Sequence, residues 1–248
     1  VDDDGNGKVD DVRGWDFANG DNDPMDGYGH GTHVAGIVAS NDSLYSGVAP
    51  AASILNAKVF SSTTGLASDI DIMSAIDWCI NQSANVLTLS LGASTENTDG
   101  SDALSQYADL AVDQGKILTI AAGNSGPNAS TINCPGCAHK IISVGATYKQ
   151  SYSGSVSWSS GCTDVSPAQD QVTCFSSRGP TADTRTLPYI VAPGALITSA
   201  KNTGGFVDKG GTSMSTPIVA GLAALMLQAR NMTPEEAKAL LMNTAIDL

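Results

Sequence analysis

The chain is predicted to be an α/β protein of three layers, a mostly parallel twisted sheet with helices on both faces. Three observations carry that expectation. Short apolar runs such as Ile117-Leu118-Thr119-Ile120-Ala121 alternate with segments of helical spacing, and a strand apolar on both sides needs cover on both. The 248 residues, 42% hydrophobic and 15% charged, can bury a core of that size without a metal or disulfide scaffold. No internal repeat or linker divides them, so residues 1–248 are read as one domain.

Residues 1–29 are dense in Asp, Asn and Gly and read as loop, apart from the apolar piece Gly14-Trp15-Asp16-Phe17. Asp2, Asp4, Asn6, the Lys8 carbonyl and Asp10 fall at alternate positions around glycines, which is how a calcium loop opens. Arg13 stands where an EF-hand has its bidentate Glu. Asp11 or an outside residue would therefore complete the shell. The plainer alternative is a solvated acidic turn.

A helix is predicted over His30–Ala39 and a strand over residues 53–59. Ser68-Asp69-Ile70-Asp71 resembles a capping box, with Ile72, Ala75, Ile76 and Cys79 at helical spacing behind it. Further strands are predicted over residues 86–91, 116–121, 140–145 and 196–200, and an amphipathic helix over 102–114. Thr233-Pro234-Glu235-Glu236 opens the last helix, with a Thr cap, Pro in the first position and Glu closing the box. Residues 151–168, rich in Ser and Gly, read as a surface excursion. Ligand sites in such sheets form at the carboxyl ends of the strands.

The net charge of −13 argues against a nucleic-acid or anionic-membrane partner. No apolar run approaches spanning length on sequence alone, and a monomer is expected. Of the five cysteines, Cys79 reads as a buried thiol, while Cys162 and Cys174 flank a polar loop that they could close. Cys134-Pro135-Gly136-Cys137 is open to a tight disulfide or to a metal half-site. Two loop disulfides and a secreted, extracellular setting are expected.

The chemistry centres on Gly211-Thr212-Ser213-Met214-Ser215-Thr216-Pro217, which runs into an apolar helical stretch. Ser213 then lies near a helix N-terminus, where unpaired N–H groups favour a developing oxyanion. A serine there also serves simply as an N-cap. A hydroxyl nucleophile needs a base, and the chain has three histidines. His30 and His33 read as a structural pair or as two metal ligands lacking a third. Asn124 follows a buried-type strand and could cap a turn.

Three motifs together resemble those of the subtilisin-like serine proteases: His30-Gly31-Thr32-His33-Val34-Ala35-Gly36, Ala121-Ala122-Gly123-Asn124-Ser125-Gly126, and the Ser213 segment. The resemblance implies a subtilisin-like fold and a serine endopeptidase. Ser213 would be the nucleophile and His30 the base and then acid, with His33 in a packing role. The Asn124 side chain and the Ser213 N–H would hold the oxyanion. Ser90, Leu91 and Gly92 would pair with an extended substrate, and Ala122 and Gly123 would wall its pocket. Protein or peptide substrates are implied, a propeptide is allowed as a second partner, and calcium is expected as a structural ion. An α/β-hydrolase is excluded, because its G-x-S-x-G elbow and its serine-acid-histidine order are both absent.

The family takes its triad Asp from an apolar strand ending in Asp-Thr/Ser-Gly, and nothing before His30 has that form. The expectation is a peptidase domain lacking the N-terminal segment that carries the acid. The alternative is a catalytically inactive binding or structural module on the same scaffold.

Overall fold

The computed structural model describes every residue except 1, 3, 4, 10 and 96. In chain order the elements are β1 (Trp15–Asp16), α1 (His30–Ala39), β2 (Ala57–Lys58), α2 (Asp69–Asn81), β3 (Val86–Leu89), α3 (Ala103–Asp113), β4 (Ile117–Ala121), β5 (Ile142–Tyr148), β6 (Ser155–Ser157), β7 (Thr163–Val165), β8 (Ile190–Ala195), β9 (Ile197–Ala200), β10 (Phe206–Lys209), α4 (Thr212–Ala229) and α5 (Pro234–Thr244). The main sheet has the order β3-β4-β5-β8, and every neighbouring pair in it is parallel.

The alternation of β4 fixes the layers. Leu118 and Ile120 join Leu87, Leu89 and the apolar residues of α2 and α3 on one face. Ile117 joins Val144 and Ala192 with Val219 and Ala223 of α4 and Ala237 and Leu241 of α5 on the other. Successive side chains of a strand point to opposite faces, so this is helix, sheet, helix: the expected three layers. All five residues of β4 are buried.

The caps decide where helices start. Ser68 accepts from the Asp71 N–H (3.1 Å) and Asp102 from the Ser105 N–H (2.9 Å). Thr233 and Glu236 make the reciprocal box, at 3.2 and 2.9 Å. At Ser68 the box is altered: its hydroxyl donates to Asp71 Oδ2 (2.7 Å).

Several expectations need correction. The strand over 53–59 contracts to Ala57–Lys58, because β1, the strand it pairs with among the described residues, is two residues long. The strand β8 was not anticipated. Neither was the β9–β10 hairpin, nor the β6–β7 hairpin inside the excursion at 151–168. On length and composition α4 is apolar enough to cross a membrane, with a mean hydropathy of 1.3 over its 18 residues. Its Val219 and Ala223, however, lie in the core against the sheet.

Both expected disulfides are present, Cys134–Cys137 and Cys162–Cys174. The first resolves the alternative left open above. Asp102 stands beside it as a third potential donor, but two bonded sulfurs offer no thiolates to a metal. Cys79 is free, and burial pushes its thiol up to about 12. That keeps it protonated and unreactive.

Candidate active site

Ser213 is the second residue of α4. Gly211, at φ +150, lets the chain turn into the helix, and Met214 and Ile218 pack the first turns of α4 against Val34 and Ile37 of α1. The hydroxyl of Ser213 donates to the Ser90 carbonyl (3.3 Å), and the Ser90 hydroxyl returns a bond to the Ser213 carbonyl (2.8 Å). This reciprocal pair ties the head of α4 to the chain leaving β3.

Asn124 follows β4 and is tied to the same helix. Its Oδ1 accepts from the Thr212 N–H (2.8 Å) and from the Thr212 hydroxyl (3.1 Å). A backbone N–H only donates, so the amide orientation is fixed: oxygen toward Thr212, NH₂ outward. The Gly123 N–H in turn donates to Thr212 Oγ1 (3.2 Å). Among the described residues neither Asn124 Nδ2 nor the Ser213 N–H takes a protein partner. Two donors are thus left unpaired at the head of one helix.

His30 is the first residue of α1. The turn before it is organised by Asp26, one of the acidic residues of the loop at 1–29. One carboxylate oxygen accepts from the Tyr28 and Gly29 N–H groups (2.9 and 2.6 Å), and the other from the Thr32 N–H and hydroxyl (2.8 and 2.7 Å). Burial pushes Asp26 upward, and these bonds from Thr32, Gly29 and Tyr28 outweigh it, so the carboxyl titrates below its ordinary range. Asp26 acts as a cap at one remove, an acidic residue just before a helix being the available signal.

The His30 ring meets Phe60 edge-on, with centroids 6.5 Å apart. Burial lowers its pKa first, the Lys209 ammonium adds to this, and Asp26 opposes it. The net shift is downward, so the imidazole is neutral at neutral pH. Among the described residues no carboxylate is hydrogen-bonded to the ring. Asp16, the one upstream acid beside an apolar pair, is fully buried and committed to Lys58 and Asn19.

His33 has no access to solvent. Its Nε2–H donates to the Ile197 and Val207 carbonyls (3.1 and 3.0 Å), joining α1 to β9 and β10. With Nε2 protonated, Nδ1 is the acceptor nitrogen, and it is buried with no hydrogen-bond partner; among the described residues no group of three potential metal ligands includes His30 or His33.

The residues read as substrate-binding divide into two kinds. The main chain of Leu91 and Gly92 has no hydrogen-bond partner among the described residues, which leaves an open edge. Ala122 and Gly123 are used up internally: Ala122 donates to Val144 and accepts from Asn133, and the Gly123 carbonyl accepts from Ser177. They can only be wall. A side chain at Gly123 (φ +111) would lie 2.6 Å from Asn133 Cγ, so the wall is close-packed there.

Of the candidate calcium ligands, Asp4 and Asp10 lie outside the described residues. Asp2 accepts from the Asn6 and Gly7 N–H groups (3.1 and 2.9 Å), and Asn6 Oδ1 from the Lys8 N–H (2.8 Å). These bonds turn the oxygens of Asp2 and Asn6 into the loop. Asp11 Oδ2 is occupied by Asn6 Nδ2 (2.8 Å) and by Trp78 Nε1 (3.0 Å) of α2. That oxygen braces the loop against α2 and is not open to complete a shell.

Comparison with known proteins agrees with the geometry. The subtilase family model matches residues 1–248. Serine protease AprX of Bacillus subtilis (strain 168) is 36% identical over 92% of this chain, which spans 55% of that protein's length. Thermitase of Thermoactinomyces vulgaris is 34% identical, over 96% of this chain and 74% of its own. Among solved structures, a cold adapted subtilisin-like serine proteinase superposes with a TM-score of 0.74 at 33% identity, covering 94% of this chain and 73% of its own. With its three layers, its motifs and a family match along the whole length, the chain belongs to the subtilase family.

Proposed function

We propose that the protein is a serine endopeptidase in which Ser213 attacks the scissile carbonyl. His30 takes the serine proton and returns it to the leaving amine. The oxyanion is held by the Asn124 amide and the Ser213 N–H. What carries the reading is the pair of unpartnered donors at the head of α4, beside the hydroxyl of the same residue. Fixed donors aimed where charge develops are the main electrostatic resource of acyl transfer. In the resting state the hydroxyl rests on Ser90; the substrate carbonyl displaces that bond, and serine turns toward His30 as the complex tightens.

The open edge at Leu91–Gly92 supports recognition of an extended peptide through its main chain, with Ser90 alongside and Ala122 and Gly123 behind the side chain. Such pairing is indifferent to side chains, so broad specificity follows. The reading extends to a single peptidase domain over residues 1–248, monomeric and secreted, with a propeptide as an allowed partner. The two disulfides support the secreted setting. Asp2, Asp4, Asn6, the Lys8 carbonyl and Asp10 would hold a calcium ion, which would neutralise the acidic loop and take no part in the chemistry.

A second reading, an inactive module, is favoured by one observation: the His30 ring has no carboxylate hydrogen-bonded to it among the described residues. Loss of the acid from such a triad costs about 10⁴ in rate. Labelling with a fluorophosphonate followed by peptide mapping separates the two. Attachment at Ser213, absent in Ser213→Ala, is the expected result. Labelling no faster than in that variant would mean that the site is not assembled in this chain, as in an incomplete enzyme or an inactive module.

A further inference from the structure

The excursion at 151–168 is more than surface decoration. It folds into the β6–β7 hairpin, closed at its tip by Trp158 and Cys162, whose main chains pair (2.9 Å), and tethered by the Cys162–Cys174 disulfide. Within it Asp164 is 7% exposed, and its Oδ2 accepts from Tyr148 Oη (2.8 Å), Trp158 Nε1 (3.1 Å) and the Cys174 N–H (3.2 Å). This carboxylate oxygen orients the indole, whose N–H also donates to Tyr148 Oη (3.2 Å). Burial and then Asp164 push the Tyr148 hydroxyl's pKa upward, so it remains a donor.

The oriented ring touches a neighbour of each half of the candidate oxyanion site, Gly210 on one and Phe175 on the other. Its edge lies against Gly210 so closely that a Cβ there would fall 2.2 Å from Trp158 Cζ3. Gly210 is three residues before Ser213, and Gly211 next to it is pinned to the Gly194 carbonyl (2.9 Å). The indole also packs edge-on against Phe175, with centroids 4.7 Å apart. The Phe175 carbonyl accepts from the Gly126 N–H (2.9 Å), two residues after Asn124.

We propose that Trp158, oriented by Asp164, is a positioning residue: it sets the spacing between the turn that delivers Ser213 and the loop that delivers Asn124. It touches no substrate. The inference rests on the assignment of Ser213 and Asn124 as catalytic. A displacement of the order of 1 Å at such a site costs about 10²-fold in rate, so a buttress removed at this distance should tell on kcat.

Trp158→Ala is expected to lower kcat by about tenfold to a hundredfold with KM nearly unchanged, and Trp158→Phe to recover most of the loss. Gly210→Ala, which drives a methyl into the ring, should impair kcat by itself. Combined with Trp158→Ala it should cost little more than either change alone, because the two substitutions act on one contact. A readout independent of turnover is amide hydrogen exchange. In Trp158→Ala the Gly211, Thr212, Met214 and Gly126 amides, all hydrogen-bonded in the parent, should exchange faster, while those of β3 and β4 keep their protection. Unchanged exchange at those four amides overturns the inference, as does additive loss in the Gly210 cycle. Exchange that rises throughout the chain also overturns it, since Trp158 would then serve stability alone. Failure of the parent protein to label at Ser213 would instead defeat the peptidase reading, and exchange and stability would decide the role of Trp158 without it.

Discussion

The two ends of the candidate site are built by different means. The Ser213–Asn124 end hangs on α4 and β4, and its orienting groups lie in the buried frame: Thr212 is fully buried and Asn124 is locked to it. The His30 end is a turn held by one carboxylate, with an acidic loop upstream whose bonds run between neighbouring polar residues. Packing is indifferent to pH and ions. Charge-held turns are not. The oxyanion half should therefore survive changes of solvent that loosen the histidine half.

The largest effect that would test this contrast is at Asn124. Replacing it with Ala should lower kcat by about 10²–10³, the range that removal of such a donor has in a subtilisin, and should lower the melting temperature by several degrees through the two Thr212 bonds that Oδ1 accepts. Loss of stability without loss of kcat in the folded protein would show that the amide is a structural brace alone. Next comes the acidic loop. Chelation of calcium should lower the melting temperature by about 5–10 °C, the value for an ion present at a hundred times its Kd, and Asp2→Asn should reduce the response. An unchanged melting curve in chelator would remove calcium from this protein. Thr212→Val keeps the shape and deletes the hydroxyl that Gly123 and Asn124 share. It should slow turnover by about tenfold, the equivalent of one hydrogen bond. Away from both ends, Thr233→Ala should cost about 1 kcal/mol through the lost capping box and leave kinetics untouched.

The smallest effect concerns His30. Its pKa lies below the ordinary 6.5, so the base stays neutral at neutral pH and the acid limb of kcat/KM should fall below that value. Lys209→Gln removes a cation that resists protonation of the ring, so the limb should move to higher pH; a move to lower pH would contradict the assignment. The same sign holds for stability. A base harder to protonate when folded contributes stability above its unfolded pKa, and that contribution shrinks as pH falls through the unfolded value toward the folded one.

The parts legible in the sequence were those with local rules. Helix starts at Ser68, Asp102 and Thr233 follow from the side chains that satisfy their N–H groups, and the strands β3, β4 and β5 follow from apolar runs. Strand β8 escaped because Pro193 and Gly194 punctuate it. It is an edge strand of the main sheet, so the missing proline N–H leaves no ladder bond unmade on its open side. The β6–β7 hairpin escaped because its strands alternate polar residues, and its stability comes from Trp158, Asp164 and a disulfide. At the site, motifs pointed to Ser213, His30 and Asn124. Thr212 and Asp26 were not singled out, because a residue that orients another through hydrogen bonds leaves only a weak pattern in one dimension.

That α4 carries both the nucleophile and the sheet's covering face has a consequence for longevity. An enzyme that cuts extended chain is a hazard to its own unfolded copies, and loss of α4 from the sheet would disarm the site in the same event that exposes the strands. Core opening therefore makes prey but no predator. Among its described residues the N-terminal loop makes no hydrogen bond to α4, so digestion by intact neighbours should begin there. The working lifetime of the protein would then be set at the acidic loop, which takes no part in the chemistry it limits.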